Sequence, residues 1–261
     1  MIINPTLAAE ELVFYTYHDK PPYYFNQRQS WGPVNQKSTQ LNPNNRHTGL
    51  YQAFINLLNT HQQQWKITLK YIPRKRLDLH LKAGTLDGAV IGVNPTWFKD
   101  KQQTRFHWSQ PFLWDVDVVA VRSGNRFPYQ HPNDLTDKKL ALPRGYYFWG
   151  VTENIDQGRQ WAIEASSELQ NLKLVAANRV DATILSAKTL QYYEQRIFRP
   201  GTFQALATPH DEYSRAVMFP NLNATRYKSL HQHIDTLGSS EEWQHIKQQI
   251  MGEEPALLEP R

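Results

Sequence analysis

Leu12 to Tyr17 (LVFYTY) is an apolar, aromatic-rich run that predicts a strand. His18-Asp19-Lys20 and Pro21-Pro22 stop it, and it empties into an aromatic loop of Tyr23, Tyr24 and Phe25. A polar insertion follows from Asn26 to Thr48, read as a surface flap or as a disordered insert. Gly49 to Leu58 has helical spacing, Trp65 to Ile72 (WKITLKYI) alternates as a strand does, and Pro73 precedes a helix from Arg74 to Ala83 that Gly84 ends. Val116 to Val121 (VDVVAV) and Arg215 to Phe219 (RAVMF) predict two further strands. Between them lie a strand ending at Leu142, the loop Pro143-Arg144-Gly145-Tyr146-Tyr147 and a helix running into Asp181. Helices at about Ala224 to Leu237 and Glu241 to Met251 complete the order, and Glu253 to Arg261 reads as a tail.

Two of these stretches end alike. Leu77 to Val90 (LDLHLKAGTLDGAV) and Leu169 to Leu185 (LQNLKLVAANRVDATIL) are helical patterns that stop at Ala83-Gly84 or Ala177-Asn178. Each restarts as a short buried strand at Asp87-Gly88-Ala89 or Asp181-Ala182-Thr183. The echo predicts an α/β protein of two lobes, one discontinuous over residues 10–118 and 216–252, the other over 119–215, with 253–261 as a tail. Val118–Arg122 and Arg215–Phe219 are the strands expected to cross between them, and the cleft they leave is a place for a small molecule. The alternatives are a chance echo of a common helix-turn-strand unit and a single large domain.

Composition narrows the function. At 261 residues the chain is long enough for two cores, and 40% hydrophobic content with 12% aromatics belongs to a globular protein. A formal charge of +5 is scattered, with no basic block longer than Arg74-Lys75-Arg76, so nucleic acid is not an expected partner. The absence of cysteine excludes disulfides, thiolate metal sites and cysteine nucleophiles. The close pair His231 and His233 points to different helix faces, and no metal or other cofactor is expected. Thr6-Leu7-Ala8-Ala9 looks like the small-residue end of a signal peptide, which implies an exported, periplasmic protein whose start lacks most of that peptide. A cytoplasmic N-terminus is the alternative.

Taken in order, several short elements resemble the family 3 bacterial solute-binding proteins, the periplasmic amino-acid-binding type. They are Pro22-Tyr23 after the first strand, Gly49-Leu50-Tyr51 opening a helix, and Leu81-Lys82-Ala83-Gly84-Thr85-Leu86-Asp87-Gly88. Trp108-Ser109-Gln110-Pro111-Phe112, Asp134-Leu135, Gly145 and Asn178-Arg179-Val180-Asp181-Ala182 follow in the same order. The resemblance spans about Leu12 to Met251 and implies a type II periplasmic binding fold: two lobes, each a mixed β-sheet flanked by helices, joined by two hinge strands. It implies a monomer that closes on a small-molecule solute, for uptake with a membrane permease of the ABC type or for sensing with a receptor. An enzyme on the same fold, a lyase like the cyclohexadienyl dehydratases, is the alternative, but no nucleophile-base pair is legible.

The departures bear on the ligand. Where the resemblance implies an Arg for an α-carboxylate, this chain has Gln102 or Lys99, with Lys101 beside them; where it implies an acid for the amine, it has Ser186. An ordinary α-amino acid is therefore not the expected ligand. Tyr17, Tyr23, Arg74, Asn94, Trp114, Arg144, Tyr146 and Tyr147 come from strand ends, loops or crossings and are expected to line the cleft with Lys99 and Ser186. That wall suits a ligand with a flat or ring-shaped apolar body and at least one anionic or carbonyl group, with Arg74 or Arg144 on that group and tyrosines against the body. Asp87 and Asp181 read as structural turn residues.

Overall fold

A computed structural model describes residues 9–24, 49–220 and 227–251, which form ten strands and seven α-helices. The insertion expected from Asn26 to Thr48 and the tail from Glu253 lie outside these residues. β1 (Glu10–Thr16) runs parallel to β2 (Trp65–Tyr71) on one side and to β3 (Ala89–Val93) on the other. The long strand β10 (Asp211–Phe219) is antiparallel to β3, and the two-residue β4 (His107–Trp108) also pairs with it. The earlier residues of β10, Asp211 to Arg215, pair antiparallel with β5 (Leu113–Arg122). β5 continues to β8 (Ala182–Ser186) and β9 (Phe203–Ala205), and β8 leads in parallel to β6 (Leu140–Pro143) and β7 (Ala162–Ala165). The result is one mixed sheet in the order β2-β1-β3-β10-β5-β8-β6-β7.

The two sequence echoes land symmetrically. α2 (Arg74–Ala83) precedes β3, α4 (Glu168–Ala176) precedes β8, and each of those strands lies directly against a crossing strand, β10 or β5. Both are buried along their whole length, as near-continuous apolar strands covered on two faces must be. Asp181 has the structural role read for it, its Oδ2 accepting from Lys139 N at 2.7 Å.

The buried apolar residues separate by position in the chain. α1 (Leu50–His61), α6 (Lys228–Gly238) and α7 (Glu241–Met251) cover one face of β1 and β3 through Phe14, Phe54, Phe112, Ile234 and Trp243. Trp243 Nε1 donates to Phe112 O at 2.6 Å. Leu77, Val90, Phe98, Trp108 and Met218 form the core on the other face. Two further clusters, one around Val119, Leu140 and Ile184 and one around Leu172, Val175 and Tyr193, draw on Val116 to Leu206. Tyr146 packs at the edge of clusters from both portions.

The elements not foreseen have weak patterns. β7 (AIEA) is a short edge strand with little apolar alternation, and α5 (Ala187–Arg196) follows β8 with no Gly or Pro between them. β10 begins earlier than the apolar run RAVMF, because Asp211 and Glu212 pair with Asp117 and Val116 despite their charge.

Candidate functional site

The loop after β1 is held by α1. Leu50 N donates to Pro22 O at 2.9 Å and Tyr51 N to Tyr23 O at 3.1 Å, which satisfies two first-turn donors of the helix. A side chain at Gly49 would collide with the Tyr23 carbonyl, so this approach requires glycine there. Tyr17, His18, Lys20 and Tyr23 are thereby buried at the carboxyl end of β1, where the sheet passes from β10 to β5.

The ladder between β5 and β10 sets Leu113 opposite Arg215, Asp115 opposite Tyr213 and Asp117 opposite Asp211. Because alternate residues of a strand share a face, Asp115, Asp117, Tyr213 and Arg215 come together on one side of the crossing. Arg215 is wholly buried and donates through Nη2 to Asp115 Oδ2 at 2.7 Å and through Nε to the same oxygen at 3.1 Å. Its Nη2 also reaches Tyr213 OH at 3.0 Å, and its Nη1 reaches Gly92 O at 3.0 Å, Tyr51 OH at 3.2 Å and His18 Nε2 at 3.4 Å. The guanidinium lies 4.4 Å from the Tyr23 ring centroid. Asp115 also accepts from Tyr23 OH at 2.5 Å and from Ser186 Oγ at 2.9 Å.

Burial would raise the Asp115 carboxyl, but Arg215, with Lys188 and Lys20 behind it, holds it down at about 2. Asp117 is pushed the other way, to about 7, by burial first and by the Asp115 charge in the same direction, against the pull of Lys20. Burial, with the nearby charges of Arg215, Lys20 and Arg74, pushes His18 well below its usual range, so its ring is neutral. A neutral ring accepts from Arg215 at Nε2 and carries its proton at Nδ1, facing Tyr51 OH at 3.2 Å.

Polar contacts also join residues far apart in the chain. Lys20 Nζ donates to Glu168 Oε1 at 2.7 Å, with both side chains buried. Thr189 Oγ1 donates to Pro21 O at 2.7 Å, Tyr146 OH to Tyr17 O at 3.0 Å, and Tyr23 OH stands 2.9 Å from Ser186 Oγ.

Of the residues expected from sequence, Tyr17, Tyr23, Arg74, Tyr146 and Ser186 lie in this region. Arg74 spends its donors within the chain, on Asp78 Oδ1 at 2.9 Å, Trp97 O at 2.9 Å and Tyr17 OH at 3.3 Å. Asn94 donates to Ser214 O at 2.9 Å. Tyr147 is turned to Glu153, its OH 2.7 Å from Oε1. Lys99 and Gln102 are exposed, Trp114 is 58% exposed, and Arg144, with a side chain 63% exposed, lies 3.4 Å from Glu164. Arg215, Asp115, Asp117, Tyr213, His18, Lys20, Tyr51 and Glu168 were not foreseen as site residues. The spacing Asp115-x-Asp117 in one apolar strand and Tyr213-x-Arg215 in another was the signal that could have found the first four.

Among the described residues no group of three or more His, Asp or Glu side chains could hold a metal ion, and no helix is long and apolar enough to cross a membrane.

No protein-family model and no curated protein matches the chain. Solved structures do. The substrate-binding protein of an amino-acid ABC transporter superposes with a TM-score of 0.67 at 18% identity, over 93% of this chain and 100% of that one. The type II periplasmic binding fold is the fold of this chain. The same binding-protein fold appears in the ligand-binding core of GluR0 from Nostoc punctiforme in complex with L-glutamate, with a TM-score of 0.68 at 16% identity over 93% of this chain and 100% of that one. It appears again in a histidine kinase sensor domain described as similar to periplasmic binding proteins, with a TM-score of 0.66 at 15% identity over 94% and 97% of the two chains. Within this binding-protein fold, the buried polar network sits where β5 and β10 carry the sheet from one portion of the chain to the other.

Proposed function

We propose that this protein is an extracytoplasmic solute-binding protein, with lobes of residues 10–118 plus 216–252 and 119–215, that closes on a small molecule for ABC-type uptake or for sensing. The observation that carries the reading is the buried set of polar contacts between the two portions, Lys20–Glu168, Tyr23–Ser186 and Tyr146–Tyr17 among them. Polar groups that meet across separately packed cores are suited to a joint that opens and closes, because water can satisfy them when they part. The likeness to a transporter substrate-binding protein and to a histidine kinase sensor domain supports both uses; a monomer with a membrane permease or a receptor as its partner completes the proposal.

The ligand is not an ordinary α-amino acid. Ser186 donates to Asp115 and stands 2.9 Å from Tyr23 OH, and Lys99 and Gln102 are exposed, which supports the absence of the usual clamp. Native mass spectrometry of freshly purified protein tests the reading: it is expected to show a retained small molecule whose re-addition raises the melting temperature. Failure to find any small molecule that does so, retained or added, counts against solute binding.

A further inference from the structure

The polar network at the crossing is closed on itself. Arg215 uses Nε, Nη1 and Nη2 on partners within the chain, and both oxygens of Asp115 accept hydrogen bonds. Nothing in this pair is left for a solute. Glu168 and Asn171 differ. Both are buried on the first turns of α4, three residues apart and so on neighbouring positions of one helix face. Glu168 Oε1 takes the Lys20 ammonium, while Glu168 Oε2 and both polar atoms of the Asn171 amide have no partner among the described residues. Buried polar atoms are rarely left so, and Glu168 itself takes part in a contact between the two portions, with Asn171 one turn along its helix.

The chemistry of a matching group follows from what is already there. A cation placed on Glu168 Oε2 would lie close to the Lys20 ammonium, which is 2.7 Å from the other oxygen, and an anion would lie against Glu168 itself. An uncharged group meets neither repulsion. It must donate to Glu168 Oε2, and it gains by both donating to and accepting from the Asn171 amide. The Tyr23 and Tyr146 rings, 5.7 and 5.9 Å from the Lys20 ammonium, supply apolar faces alongside.

We propose that Glu168 and Asn171, with Lys20 opposite, form a subsite that takes an uncharged hydrogen-bonding group of the solute, a hydroxyl or a primary carboxamide. The subsite rests on the solute-binding reading and adds the ligand class to it.

The test is a melting-temperature screen of the full chain with three probe sets: neutral sugars, polyols and primary carboxamides; amines and amino acids; mono- and dicarboxylates. The shift is expected from the first set, and the separate arms for hydroxyl and carboxamide probes identify which donor is used. Asn171→Leu is expected to weaken that probe at least tenfold while raising the melting temperature of the unliganded protein, since it removes two unpartnered buried atoms. A purely structural asparagine would show the opposite, a lower melting temperature with affinity retained. Where leucine is not accommodated, Asn171→Ala and Glu168→Gln read the same loss of affinity. A charged probe bound equally well by parent and Asn171→Leu overturns the subsite and leaves solute binding standing. So does a screen without hits when native mass spectrometry still finds a retained molecule. If neither method finds a ligand, both readings fall.

Discussion

Replacing Asp117 by asparagine tests the electrostatic account of the crossing strands. Asp117 is buried and accepts from Tyr213 OH at 2.7 Å, yet that same hydroxyl lies 3.1 Å from Asp115 Oδ2 and accepts from Arg215. One hydroxyl proton cannot serve two carboxylates, and the single guanidinium is committed to Asp115, so Asp117 keeps its own proton. Its carboxyl rises from 3.8 to about 7. At about 1.36 kcal/mol for each pH unit, that rise amounts to roughly 4 kcal/mol. The sign follows from which state prefers the proton. A carboxyl raised in the folded protein is neutral in both states below pH 4, and stability is then undiminished. Between about 4 and 7 the unfolded chain ionises while the folded one resists, so stability falls across that window and levels off above it.

The substituted amide cannot ionise and still offers a carbonyl to Tyr213. Urea unfolding followed by tryptophan fluorescence, at steps from pH 4 to pH 8.5, is expected to give near-equal stabilities at pH 4 and an advantage of roughly 4 kcal/mol for Asp117→Asn at pH 8. Asp211, raised to about 6 mainly by burial, titrates in both proteins and drops out of the difference. Parallel pH profiles for parent and variant would refute the reasoning.

Asp115→Asn leaves the wholly buried Arg215 without its counter-ion and is expected to cost about 3–5 kcal/mol, read from the same urea curves; a loss under about 1 kcal/mol would contradict the pairing. In the parent, the share of stability due to Asp115 is lost as pH falls from about 4 through about 2, opposite in direction to Asp117. Gly92→Ala puts a Cβ into the Tyr51 ring at a φ of +80°, and strain of about 1–3 kcal/mol should appear as a lower melting temperature. Calorimetry with the standard α-amino acids should find affinities roughly two to four orders of magnitude below those of a clamp with Arg and an acid, and micromolar binding of any of them would overturn that expectation.

The elements with strong patterns were legible, and those lacking them were not. LVFYTY, WKITLKYI and the two helix-turn-strand echoes became β1, β2, β3 and β8, because apolar burial on a sheet leaves a mark that one sequence carries. The short β7 and the helix α5 left no such mark. For the site, the strand-end rule pointed to Tyr17, Tyr23, Arg74 and Tyr146, which the fold gathers beside the crossing strands, but it could not disclose that Asp78, one turn along the same helix, takes one of the Arg74 donors. Arg215 and Asp117 read as parts of hydrophobic strands, and Asp115, just before the run VDVVAV, did not stand out at all. Their charges make sense only in pairs across a register that no local pattern discloses.

That β10 completes the sheet on both sides has a consequence for the order in which the chain can fold. β1, β2 and β3 are synthesised first, but β3 has no strand on its second edge until Asp211–Phe219 emerges, and Phe112 waits still longer for Trp243. The clusters drawn from Val116 to Leu206 need nothing made later, so the middle of the chain can finish its core while the beginning still shows an unpaired edge. A break within β10 therefore also does damage far back in the chain, where β3, made well before it, is left without its second partner.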